Sequence, residues 1–163
     1  MRVLPPDPGP LIVACDGAAR GNPGPAGIGV HITDARGRTL AEVARGIGIA
    51  TNNVAEYTAA IEGLTKAKEL GASVVLLRSD SRLLIEQLAG RYKVKHRNLV
   101  PLHLQVRRLI AGFERVSYEH VPRERNKEAD RLANAGVDAW LAGEGASSVR
   151  APEGGSSAPA TGA

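Results

Sequence analysis

The chain has 163 residues, 43% of them hydrophobic and only 3% aromatic, with a formal net charge of +4. That length suits one compact domain whose core must be built from Val, Ile, Leu and Ala. The single cysteine, Cys15, excludes an intrachain disulfide and fits a reducing cytoplasm. No apolar run approaches the roughly 20 residues that cross a bilayer, so no membrane partner is expected, and the positive balance leans toward a polyanion.

Residues 1–10 are rich in proline and lack the apolar stretch of a signal peptide, and read as a disordered tail. Leu11 to Cys15 are five apolar residues in a row, which predicts a strand buried on both faces. It delivers Asp16 where a hydrophobic residue is expected. The string Ala18 to Gly27 is dense in Gly and Pro and reads as a loop of tight turns. Ile28, Val30 and Ile32 alternate as a half-buried strand. After the turn Asp34–Gly37, a third strand runs from Thr39 to about Ile49, with a bulge expected around Ala44 to Gly46.

The period then becomes helical. Val54, Tyr57, Ile61, Leu64 and Ala67 share a face, and Gly71 ends the helix in the C′ position. Ser73 to Ser79 is a second buried strand that runs into Asp80. A short helix follows from about Ser81 to Ala89, and then a basic loop with Arg91, Lys93, Lys95 and Arg97 around Tyr92. A helix from near Asn98, a strand alternating Val116, Tyr118 and His120, and a helix from Asn126 to about Leu141 complete the domain. From Gly143 the Gly, Ser, Pro and Ala content rises sharply, predicting a disordered tail or linker over 143–163. The order β-β-β-α-β-α-α-β-α over 11–142 predicts an α/β fold: a mixed five-stranded sheet with helices on both faces.

Four acidic residues stand where they could converge: Asp16 and Asp80 at the ends of buried strands, Glu56 and Asp130 in the first turns of helices. Each has a plainer role open to it. Glu56 could close a capping box with Asn53, Asp130 could answer a helix dipole, and Asp80 could be an N-cap. Asp16 has no such alternative, because no turn or cap needs it. Taken together, carboxylates without a His or Cys cluster make an all-oxygen site suited to Mg²⁺ or Mn²⁺, and such sites serve two-metal phosphoryl chemistry.

The string Asp16-Gly17-Ala18-Ala19-Arg20-Gly21-Asn22-Pro23-Gly24-Pro25-Ala26-Gly27 resembles the opening motif of type 1 ribonuclease H. Thr51-Asn52-Asn53-Val54-Ala55-Glu56-Tyr57, Asp80-Ser81 after a strand, and Asn126-Lys127-Glu128-Ala129-Asp130 at a helix start complete that family's four-carboxylate pattern in order. The resemblance spans about Leu11 to Leu141. It implies a ribonuclease H-like fold and endonucleolytic cleavage of the RNA strand of an RNA–DNA hybrid, leaving 3′-hydroxyl and 5′-phosphate ends. Double-stranded RNA is a second candidate substrate, and a monomer is expected. Two Mg²⁺ ions, with Mn²⁺ as the alternative, would be held by Asp16, Glu56, Asp80 and Asp130, and Glu56 would also reach the RNA 2′-hydroxyl. Asn22, Asn52 and Asn53 match positions that touch the hybrid.

The segment Gly90 to Arg97 stands where the best-known branch carries a long basic protrusion, so the chain resembles the shorter branch, with Lys93 and Lys95 as candidate phosphate contacts. In the loop His120-Val121-Pro122-Arg123, His120 is expected to point into the sheet as a packed residue. The shorter branch has the same loop, and that resemblance implies that Arg123 lies near the scissile phosphate. Two other readings stay open: a non-catalytic hybrid- or duplex-binding module of the same fold, and an N-terminal nuclease module of a larger fusion protein.

Overall fold

The computed structural model describes residues 6–143 and 147–150. Three antiparallel strands come first: β1 (Leu11–Ala19), β2 (Gly24–Thr33) and β3 (Thr39–Ala50). Then follow α1 (Asn52–Glu69), β4 (Val74–Ser79), α2 (Arg82–Leu88), α3 (Val100–Ile110), β5 (Arg115–His120) and α4 (Lys127–Leu141), with a last strand β6 (Ser147–Arg150). The sheet order is β5-β4-β1-β2-β3-β6. β1, β4 and β5 run parallel, and the remaining pairings are antiparallel. The expected mixed sheet with helices on both faces is therefore present.

The two faces can be read from β2. Ile28, Val30 and Ile32 are fully buried in the cluster that also holds Val13, Leu64, Leu77 and Val106, on the side of α1 and α3. Each such aliphatic contributes about 1.5–3 kcal/mol by leaving water. Gly27 and Gly29 point the other way, and a Cβ on Gly29 would run into the backbone of α4 at Ala129 and Ala133. Glycine is needed there because the helix lies directly on the strand.

This corrects the loop expected over Ala18 to Gly27. β1 and β2 stay paired through Ala18↔Gly27 and Ala19↔Ala26, and only Arg20–Pro23 connects them. Gly27 serves close packing of α4, while Gly21, at φ +99, and Gly24, against the Arg20 carbonyl, serve the short turn. The β3 bulge also lies further along than expected. Ala26 pairs Gly48 and Gly27 pairs Gly46, which leaves Ile47 as the extra residue, with Gly48 at φ +81.

The two tails need correction as well. Asp7 accepts hydrogen bonds from Gly9 N and, at 2.5 Å, from Ser73 Oγ, so part of the segment expected to be disordered is tied to the domain; 1–5 lie outside the described residues. Within the tail expected to be disordered from 143, β6 pairs antiparallel with Glu42–Arg45 of β3. The five expected strands are all present, and a sixth is added at the β3 edge. The cause is general: β3 would otherwise present an edge of unpaired N–H and C=O groups. Residues 151–163 lie outside the described ones.

Candidate active site

β1 and β4 are parallel in the register Leu11↔Val75 to Ala14↔Arg78. Carried on by two residues, that register sets Asp16, within β1, beside Asp80, just past the end of β4, on the side where α/β sheets open their crevices. Cross-strand partners share a face, and Asp16 pairs Gly29, so Asp16 points toward α4 and Asp130.

Glu56 arrives from the opposite helix. The α1 N-cap is Thr51, whose side chain accepts from Val54 N at 3.2 Å. Glu56 therefore lies beyond the first turn and does not close a capping box with Asn53. It is 6% exposed, and its Oε1 accepts the Gly17 N–H. A Cβ on Gly17 would overlap the Ala55 and Glu56 backbone, so glycine after Asp16 is what lets α1 approach. Ser81 caps α2 by accepting from Leu84 N at 3.2 Å, which relieves Asp80 of that duty. Asn126, 2% exposed, precedes α4 and donates to Cys15 O at 3.1 Å. That bond ties the helix carrying Asp130 to the strand carrying Asp16.

Asp16, Glu56 and Asp80 each offer a carboxylate oxygen within 4.8 Å of the others. Asp130 lines the same cleft of about 330 Å³, together with Asn52, Arg123 and Arg20. Burial, then the charges of Glu56 and Asp80, push the Asp16 carboxyl up to about 10, and a hydrogen bond with Asp130 adds to the shift. Burial also raises Glu56 to about 7, against the pull of the Gly17 N–H, and raises Asp80. Asp16 holds its proton at neutral pH because the negative charges cannot coexist buried at this spacing. A cation of higher charge would answer the same need. An all-oxygen donor set of this kind suits a hard divalent metal.

The remaining sequence candidates divide. Asn52 lines the cleft, and its backbone N–H is accepted by Asn22 Oδ1 at 3.1 Å. Asn53 is exposed on α1 and lies outside the cleft lining. Lys93 and Lys95 line a separate groove beside Leu104 and Arg107. Arg123 sits in a 3₁₀ turn, Arg123–Arg125. Its side chain is 76% exposed, and its guanidinium is 3.6 Å from Asp130 Oδ1.

His120 is not packed into the sheet as expected. It is exposed, with Nε2 3.2 Å from the Asp80 carbonyl, because β5 is an edge strand that ends there. Two cleft residues escaped sequence reasoning. Asn134 donates to Asp130 O at 3.0 Å and stands 3.4 Å from its Oδ1, and Arg20 reaches Asn134 Oδ1 at 3.4 Å and Asp138 at 2.8 Å. The one signal for Asn134 was its position four residues after Asp130 on a helix; Arg20 was hidden in the glycine-rich string.

Fold and crevice thus define an α/β domain with a mixed sheet and an acidic site suited to a divalent metal. Residues 14–136 match the family described as reverse transcriptase-like. The chain is 50% identical over 130 residues to the bifunctional protein Rv2228c of Mycobacterium tuberculosis, covering 79% of this chain and 36% of that one. It is 42% identical over 137 residues to ribonuclease HI of Halobacterium salinarum, covering 83% and 69%. The crystal structure of LC11-RNase H1 in complex with an RNA/DNA hybrid superposes with a TM-score of 0.77 at 42% identity, covering 80% of this chain and 99% of that one. The chain belongs to the type 1 ribonuclease H family of hydrolases. It spans about a third of the length of the first curated relatives it matches, and among its described residues no helix is long and apolar enough to cross a membrane.

Proposed function

We propose that this chain is an endoribonuclease that hydrolyses the RNA strand of RNA–DNA hybrids. The observation that carries the reading is the set of three carboxylates within 4.8 Å of one another, held by β1, α1 and the end of β4, with Asp130 on the rim. Asp16, Glu56, Asp80 and Asp130 would hold two divalent ions, Mg²⁺ with Mn²⁺ as the alternative. A pair of such ions supplies, when bound, Lewis-acid stabilisation of charge in phosphodiester hydrolysis.

The chain's own groups do the rest. Glu56 also accepts from the 2′-hydroxyl, the group that separates RNA from DNA. Arg123, exposed beside Asp130, stays cationic at every working pH and stabilises charge on the scissile phosphate. Asn22, Asn52 and Asn53 contact the hybrid, and Lys93 and Lys95 take its phosphates. Water attacks phosphorus and the P–O3′ bond breaks. The proton ends on the leaving oxygen, so the products carry 3′-hydroxyl and 5′-phosphate ends.

The nuclease domain takes in residues 11–142 and the added strand β6 (Ser147–Arg150), and acts as a monomer in the cytoplasm. The buried lone cysteine supports that compartment. A module that only binds hybrid gains nothing from an anionic crevice, because phosphate repels it. The deciding experiment incubates one labelled RNA strand as hybrid, RNA duplex and single strand, with Mg²⁺, Mn²⁺ or chelator. Metal-dependent cleavage of the hybrid, with 3′-hydroxyl ends, is expected. Uncut hybrid in both metals defeats the reading.

A further inference from the structure

Two polar side chains are buried where α1 and α2 meet the basic loop, away from the acidic crevice. Tyr57 is 1% exposed and Gln87 5%, and buried polar groups cost about 1–3 kcal/mol each unless paired. The Tyr57 hydroxyl donates to Gln87 Oε1 at 2.5 Å, and Gln87 Nε2 donates to the Lys93 carbonyl at 3.1 Å. With Oε1 engaged by the phenol, the amide has only its NH₂ to present to the loop. A chain of hydrogen bonds therefore runs from α1, one residue past Glu56, through α2 to the backbone of the basic loop.

The start of that loop is clamped as well. Arg91 donates two bonds of 2.7 Å to the Glu86 carboxylate. The backbone N–H groups of Arg91 and Tyr92 both donate to Glu86 O, at 2.9 and 3.1 Å. Arg91 is thus neutralised, whereas Lys93 and Lys95 enter no ion pair among the described residues. Helix α2 has seven residues, about 10 Å at 1.5 Å each, and it separates Asp80 from the loop that carries these two lysines.

A polar pair in this position is not needed to fill the core. Phe and Met would occupy the same volume with no group to satisfy, and replacing both partners of a buried hydrogen bond by apolar groups is nearly neutral. What such a replacement removes is the bond to Lys93 O. We infer that Gln87 is a positioning residue for substrate: with Tyr57 behind it, it holds the Lys93–Lys95 segment ready to take nucleic-acid phosphates. A segment ordered beforehand loses less freedom on binding. The inference rests on the hybrid-cleaving reading above.

The test measures hybrid affinity in chelator across a salt series, for wild type, Tyr57→Phe/Gln87→Met, Lys93→Ala/Lys95→Ala and all four changes together. Loss of two phosphate contacts lowers the salt slope by about two. The Phe/Met variant is expected to bind roughly three- to tenfold more weakly, the cost of ordering one or two long side chains. Its salt slope should fall by part of the same amount, and it should be cut faster by trypsin after Lys93 and Lys95. The quadruple variant should bind no worse than the lysine pair alone, because both changes remove one interaction. Should the Phe/Met variant melt early, Gln87→Glu, which keeps an acceptor for the Tyr57 hydroxyl and loses the donor to Lys93 O, is read by the same measurements. Wild-type affinity and slope in the Phe/Met variant, or a loss that adds in full to that of the lysine variant, overturns the inference. An unchanged slope in the lysine variant overturns it by removing the loop from the grip. A wild-type protein that binds no hybrid defeats the hybrid reading itself.

Discussion

Replacing Asp16 by Asn tests the crevice through stability as well as through catalysis. The Asp16 side chain is 5% exposed and has its carboxyl pushed up to about 10 by burial, Glu56 and Asp80. In an unfolded chain an Asp titrates near 4. The folded-state value lies above the unfolded one, so between these values the folded protein holds the extra proton. Its stability then falls as pH rises, at up to about 1.4 kcal/mol per unit for this one group. Asn carries no such proton and removes that slope. The metal-free variant should therefore match wild type near pH 4 and exceed it at pH 7 by up to about 4 kcal/mol, or roughly 8–16 °C in Tm for a domain this size. The same change removes a cation ligand, so Mg²⁺ should raise the wild-type midpoint and leave the variant's unmoved. Cleavage should drop by at least about a hundredfold. Denaturant unfolding in chelator and in Mg²⁺, from pH 4 to 8, reads all of this. A stability difference that is flat with pH, or an equal Mg²⁺ response in both proteins, would refute the electrostatic account of the site.

Arg123→Ala should lower kcat by roughly ten- to a thousandfold, the scale of losing one electrostatic contact, with a thermal midpoint close to wild type because the side chain is mostly exposed. His120→Ala should change stability by no more than about 0.5 kcal/mol, since His120 is exposed and its ring hydrogen-bonds only with the Asp80 carbonyl among the described residues. A calorimetric loss of several kcal/mol would return it to the core. Gly17→Ala should destabilise the fold by about 1–3 kcal/mol, because its methyl would overlap the α1 backbone at Ala55 and Glu56. Unfolding curves with a wild-type midpoint would show that α1 can retreat.

Periodicity and local chemistry made the element order legible before any coordinates. An apolar run breaking at Asp16 marks a buried strand, and the face Tyr57, Leu64 and Ala67 ending before Gly71 marks a helix. The four carboxylates were legible as candidates because buried acids need a reason, and the motifs around them supplied the family. What remained hidden depends on neighbours distant in sequence. Gly27 looked like a turn residue, and Gly29 an ordinary strand position, until α4 was seen lying on them, because a missing Cβ does not say whether a turn or a helix needs the space. Glu56 could be a cap or a ligand by spacing alone. Only Thr51 taking the cap and Gly17 N reaching Glu56 decided it. His120 alternates correctly for burial, yet alternation does not reveal that a strand lies at the sheet edge with no helix over its end. Composition and period determined most of the core and where most helices and strands run. The parallel pairing of β1 with β4 decided that Asp16 and Asp80 meet, because register is a contact between segments some 60 residues apart.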